Sequence, residues 1–209
     1  MRRTWSFWLV LFFFAIVFPL AAQEDPDSDQ ETEAPPIEWD TYMPDLYRAG
    51  DKNFCITAGI LIPTFFTGKG MDNHSSNLKV GGNGALSFNY FLNAHLFLGG
   101  EFGGMFMATG GRNFLFAIPF GLRLGYQFVM NRFEFPVSLM VGAAPELYLE
   151  EKRYWGVIFK PGASIFYRFN PDWSFGFNVQ WWMLPQWPKN GKNVLGNFLE
   201  LSLTARYHF

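Results

Sequence analysis

Asp72, His74, Ser75 and Ser76 put a carboxylate, an imidazole and two hydroxyls within five residues, the side-chain types of serine hydrolases and lipid acyltransferases. That chemistry needs nucleophile, base and orienting acid each held within hydrogen-bond reach of the next. Neighbours in one loop beside the pliant Gly70 cannot readily hold such a geometry, and the chain has no Gly-x-Ser-x-Gly elbow. The expectation is a protein that is not an enzyme. Its histidines, His74, His95 and His208, lack metal-ligand spacing, and no metal or cofactor is expected. Cys55 is the single cysteine, so there is no internal disulfide. A different chemistry is open to Glu101, Glu134 and Glu200 with Arg123, Lys160, Arg168 and Arg206: a satisfied ionic network, if one surface gathers them.

The surface that could gather them is read from the last residues, 199–209. Leu199, Leu201, Leu203, Ala205, Tyr207 and Phe209 alternate with Glu200, Ser202, Thr204, Arg206 and His208. Period-two alternation with an ionic second face fits a wall between lipid and a polar lumen. Eight strand candidates follow from the same pattern: 52–65, 78–91, 95–107, 114–128, 133–149, 156–169, 173–184 and 194–209. Each is near the ~9–11 residues that cross an outer membrane. Short turns at 92–94, 129–132 and 170–172 alternate with longer connections at 66–77, 108–113, 150–155 and 185–193. That alternation predicts an all-β fold, an eight-stranded antiparallel up-and-down transmembrane β-barrel. Tyr90, Phe91, Tyr126, Phe128, Phe133, Tyr167, Phe169, Trp173, Tyr207 and Phe209 fall beside the short turns, where an interfacial aromatic girdle belongs.

Composition agrees. Of 209 residues, 20% are aromatic and only 16% charged, with 26 Phe and 21 Gly. The net charge of -2 leaves no basic patch for phosphates, so nucleic acid is excluded as a partner. Arg2-Arg3, an apolar run over 5–20 and Ala21-Ala22 read as a signal peptide over 1–22. Residues 23–47 form an acidic segment, largely disordered, with an aromatic end (Trp39, Tyr42, Leu46, Tyr47) that rests against the barrel's inner mouth. The barrel itself occupies 48–209. Its expected setting is the outer membrane of a diderm bacterium with both termini periplasmic. Its partners there are outer-membrane lipid and the barrel-assembly machinery, reached through the last strand ending at Phe209.

Alternation assigns faces. Phe114, Phe116, Ile118, Phe120, Leu122, Leu124, Tyr126 and Phe128 point to lipid, as do Trp173, Phe175, Phe177, Val179, Trp181 and Met183. The lower lumen then collects His95, Glu101, Arg123, Gln127, Glu134, Ser138, Arg168, Asn178, Ser202, Thr204, Arg206 and His208. Glu200 and Lys160 join its ionic network, which either fills and rigidifies a barrel too small for a wide pore or conducts protons or ions. The upper lumen collects Leu61, Met105, Met107, Leu115, Ile158, Trp182, Leu184 and Phe198, an apolar funnel that either packs the core or receives a small hydrophobic ligand. Pro63, Pro119, Pro136, Pro145 and Pro161 lie inside strands, where each removes a ladder donor, so bulges or a gap in the wall are expected.

Ala49-Gly50-Asp51, Ala58-Gly59 and the closing Tyr207-His208-Phe209, with the eight-strand length, make 48–209 resemble the outer-membrane protein W (OmpW) family. The high Phe content is similar to that of spirochaete members of the group. The resemblance implies a narrow channel or carrier for small hydrophobic molecules, with a wall that opens laterally. It places that role on Leu61, Met105, Leu115, Ile158, Trp182 and Phe198. The acidic segment departs from the family's usual short start. The alternative is a structural or adhesive barrel whose outer loops, chiefly 66–77, bind partners.

Overall fold

The computed structural model describes residues 46–68, 71–74, 78–108, 114–148, 152–186 and 193–209. The expected signal peptide, nearly all of the acidic segment, and Ser75 and Ser76 lie outside the described residues. Among those described there are ten strand segments: β1 Lys52–Gly68, β2 Met71–His74, β3 Gly81–Phe91, β4 Leu96–Ala108, β5 Phe114–Ala117, β6 Phe120–Met130, β7 Phe133–Tyr148, β8 Lys152–Arg168, β9 Trp173–Gln186 and β10 Val194–His208. Each pairs antiparallel with its neighbours. β10 returns to β1 from Asn53↔His208 to Gly68↔Val194, which closes the sheet.

The wall has eight staves. β5 and β6 are one stave, interrupted at Ile118-Pro119, and both pair with β4 on one side and β7 on the other. β2 is not a stave. It folds back on the end of β1 through Phe66↔His74 and Gly68↔Met71. The expected loop at 66–77 is thus partly strand, with Asp72 and His74 on β2. The staves also run further into the long connections than alternation indicated: β1 to Gly68, β8 from Lys152 and β9 to Gln186, while β3 starts at Gly81 rather than at 78.

Exposure alternates as the barrel requires. Leu122 and Leu203 are 66% and 68% exposed, whereas Gln127 and Glu134 are fully buried. A soluble fold would leave that apolar belt in water at roughly 25 cal/mol per Å². In hydrocarbon the belt costs nothing, and the closed ladder satisfies the backbone.

The short connections are tight. Met130 pairs with Phe133 across a two-residue turn in which Asn131 has φ 55, a left-handed conformation that Asn tolerates. Asn170 Oδ1 accepts the N–H groups of Asp172 (3.0 Å) and Trp173 (2.7 Å), and Asn93 Oδ1 does the same for His95 and Leu96. At mid-wall, Gly121 faces Gly142 so closely that a Cβ on Gly121 would sit 2.3 Å from Val141 O.

Four of the five strand prolines sit at breaks in the ladder, whereas Pro145 stays in register across β7–β8, opposite Trp155. β1 slips register against β10 between Pro63 and Phe66. β7–β8 pairing lapses between Glu134↔Phe166 and Val137↔Ala163, at Pro136. β8–β9 pairing lapses between Phe159↔Met183 and Gly162↔Gln180, at Pro161. With Pro119 on the stave beside β7, three of these interruptions fall in one sector of the wall.

One girdle residue is corrected. Phe91 is fully buried and points inward, because Tyr90 beside it takes the outer face; the other nine girdle aromatics are exposed.

Candidate functional site: the barrel lumen

The lumen is layered. At the short-turn end, just ahead of β1, Tyr47 enters the barrel mouth and stacks on Phe91 with ring centroids 3.8 Å apart; Phe91 meets Phe97 at 5.6 Å. The Tyr47 hydroxyl donates to Glu134 (3.0 Å to Oε2) and lies 3.2 Å from His208 Nδ1. His208 Nε2 is in turn 2.7 Å from Ser174 Oγ. Burial, ahead of any neighbouring charge, pushes the Tyr47 phenol up, so it stays protonated.

Above this seal sits the ionic layer, in two groups. Glu134 receives Arg206 Nη1 at 2.6 Å, Gln127 Nε2 at 3.1 Å and Arg168 Nη1 at 3.6 Å. Glu101 receives Arg123 and also Lys160 Nζ at 2.5 Å, and Lys160 reaches Glu200 at 3.5 Å. Neutral groups fill the rest: Thr57 and Thr204 hydroxyls are 2.6 Å apart, Asn178 donates to Thr204 at 2.7 Å, and Ser202 to Glu200 at 2.7 Å. Charges this deep are tolerable because each carboxylate meets at least one cation.

Towards the long-connection end Leu61, Met105, Leu115, Ile158, Trp182 and Phe198 join Met107, Leu184, Met140, Ala117 and Ala144 in one buried apolar cluster. Phe66 and Leu78 pack against it. Two contacts tie it to the layer beneath. Trp182 Nε1 donates to Glu200 Oε2 at 2.5 Å, and Lys160 Nζ lies 4.1 Å from the Trp182 ring centroid.

The twelve candidate site residues, six apolar and six ionic, are therefore inside and in the layers to which alternation assigned them. His95 is not. It stands at the turn, its Nδ1 2.9 Å from Gln127 O and its ring stacked on the outward Tyr126. Tyr47 stands at the inner mouth as expected; that Phe91 and Phe97 form an apolar seal with it was not foreseen, although parity was signal enough: Phe91 and Phe97 share the inward phase of Asn89 and Glu101. The polar floor thus lies between two apolar layers.

A protein-family model matches residues 27–207 of the chain. An uncharacterized protein of Treponema pallidum (strain Nichols) is 29% identical over 136 residues, 65% of this chain and 62% of that protein, so the match spans less than two thirds of the relative's length. Among solved structures, Neisserial surface protein A (NspA) superposes with a TM-score of 0.58 at 13% identity, covering 77% of this chain and 97% of that one. The outer membrane protein OprG from Pseudomonas aeruginosa superposes with a TM-score of 0.53 at 13% identity, covering 78% and 97%. These likenesses show the fold, that of the outer-membrane β-barrels.

Proposed function

We propose that this chain, which belongs to the family matched over residues 27–207, is an OmpW-like outer-membrane barrel that admits small hydrophobic molecules to its upper lumen. The observation that carries the reading is the layering: an apolar, Met-containing cluster closed beneath by paired charges. Charges held in bridging pairs resist an apolar solute, so straight passage is barred. The sector broken at Pro119, Pro136 and Pro161 supplies a weaker wall through which such a solute leaves sideways into lipid. The barrel sits with its termini periplasmic and its long connections outside, and its last strand, ending at Phe209, engages the assembly machinery.

Leu61→Arg and Met105→Arg each put a charge into the apolar cluster. Both are expected to reduce uptake of small apolar compounds by cells carrying the barrel at equal surface abundance. Undiminished uptake in both variants removes the idea.

A second reading has its own support. The cluster residues are at most 6% exposed, which is the packing of a filled core. On that reading the barrel is a structural or adhesive support and the outer connections bind partners. Grafting 66–77 onto an inert barrel, and finding surface binding with no uptake in either protein, would favour it.

A further inference from the structure

In the middle of the ionic layer the structure encloses a polar cavity of about 10 Å³, room for one water-sized occupant. Its walls include Arg123, Arg206, Thr57, Ser138, Ser164 and Cys55. Two independent features single it out. Arg206 Nε and Arg123 Nε are buried donors with no acceptor among the described residues. And the ion pairs of the described lumen join four cationic side chains, Arg123, Lys160, Arg168 and Arg206, to three carboxylates, Glu101, Glu134 and Glu200, so the cations outnumber the carboxylates by one. Each cation has a carboxylate, but a net surplus of buried positive charge is costly, and a bound anion offsets it.

We propose that this cavity is a binding site for one small monovalent anion, chloride in the simplest case, held by the two guanidiniums and the surrounding hydroxyls. Cys55 Sγ lies 3.5 Å from Asn53 Oδ1 and 3.7 Å from Asn89 Nδ2, so the thiol already has neutral neighbours of its own beside the cavity. The hydroxyls of Thr57, Ser138 and Ser164 can rotate to donate and, with the two Nε–H groups, outnumber Asn89 Oδ1, a buried acceptor of the same lining that has no partner. The inference does not depend on the transport reading, since the site serves the fold whether or not a solute ever enters above it.

The test uses the mature full-length chain in detergent micelles. Thermal unfolding is followed in sodium chloride and in sodium gluconate at matched ionic strength, gluconate being too large to enter. Filling the site over a hundredfold range of chloride is expected to raise Tm by about 5 °C and then saturate, while gluconate does nothing. Arg123→Gln removes the surplus charge and leaves Glu101 its bond to Lys160, so it is expected to fold and to lose the chloride response. Crystals grown in sodium bromide should show one anomalous peak between Arg123 and Arg206. Equal Tm in the two salts, together with only water density at that point, overturns the proposal. So does a chloride response absent from the native chain but present in Cys55→Ala, which would put the charge on the Cys55 thiolate.

Discussion

Trp182 donates its indole N–H to Glu200 Oε2 at 2.5 Å, and this bond joins the apolar half of the lumen to the ionic half. The ring belongs to the upper cluster, and the carboxylate also takes Ser202 Oγ at 2.7 Å and Lys160 at 3.5 Å. Trp182→Phe keeps most of the packing and removes only the donor. Its expected cost is about 1–3 kcal/mol in reversible urea unfolding from micelles, the penalty of a buried acceptor with one partner fewer. A change below a few tenths would mean the two layers are not coupled through this bond.

Glu134 is the one carboxylate serving two arginines and Tyr47 together. Glu134→Gln leaves Arg168 and Arg206 buried without their counter-charge. The barrel is expected to lose about 3–5 kcal/mol, more than for Trp182→Phe, as measured by the same unfolding. Equal losses for the two variants would contradict the ranking.

Tyr47 ties stability to alkaline pH. Its phenol, ordinarily near 10.0, is raised in the folded barrel. A proton held more tightly by the folded state stabilises it below the unfolded value and is lost to that balance as pH climbs above about 10. Tyr47→Phe keeps the stack on Phe91 and has no phenol to ionise. Its stability, measured from pH 8 to pH 11, is therefore expected to fall less steeply than that of the native chain; parallel curves would mean that Tyr47 does not titrate in the seal.

Pro161 bears on the wall. The β8–β9 ladder lapses beside it, and Pro161→Val gives that stave back an N–H. The variant is expected to slow amide exchange at Ile158–Gly162 and, if solutes leave sideways, to lower uptake. Faster exchange there would show that the proline itself braces the wall.

Much of this was legible in the sequence because side-chain parity is a strict rule. Once Leu199 to Phe209 set the phase, the inward placement of Glu200, Arg206, Trp182 and Phe198 followed, and the structure has each of them inside. Parity alone does not say where a strand stops. Residues 66–68 continue β1 and 71–74 pair back on it, because backbone bonding persists past the point where the apolar rhythm fades. Nor does it rank neighbours at a strand end: Phe91 and Tyr90 are both aromatic, and only the phase of the whole of β3 decides that Phe91 goes in. The bond from Tyr47 to Glu134 spans 87 positions and comes from outside any strand, so no local pattern carries it.

The most direct test of the account is a nitroxide scan along β10 in lipid bilayers, one label at a time from 201 to 207, in a chain with Cys55 replaced. Positions 201, 203, 205 and 207 should be accessible to oxygen dissolved in the bilayer, and 202, 204 and 206 shielded both from oxygen and from a water-soluble nickel complex. Accessibility that does not alternate, or strong nickel quenching at 202, 204 and 206, would contradict a closed barrel with a filled lumen.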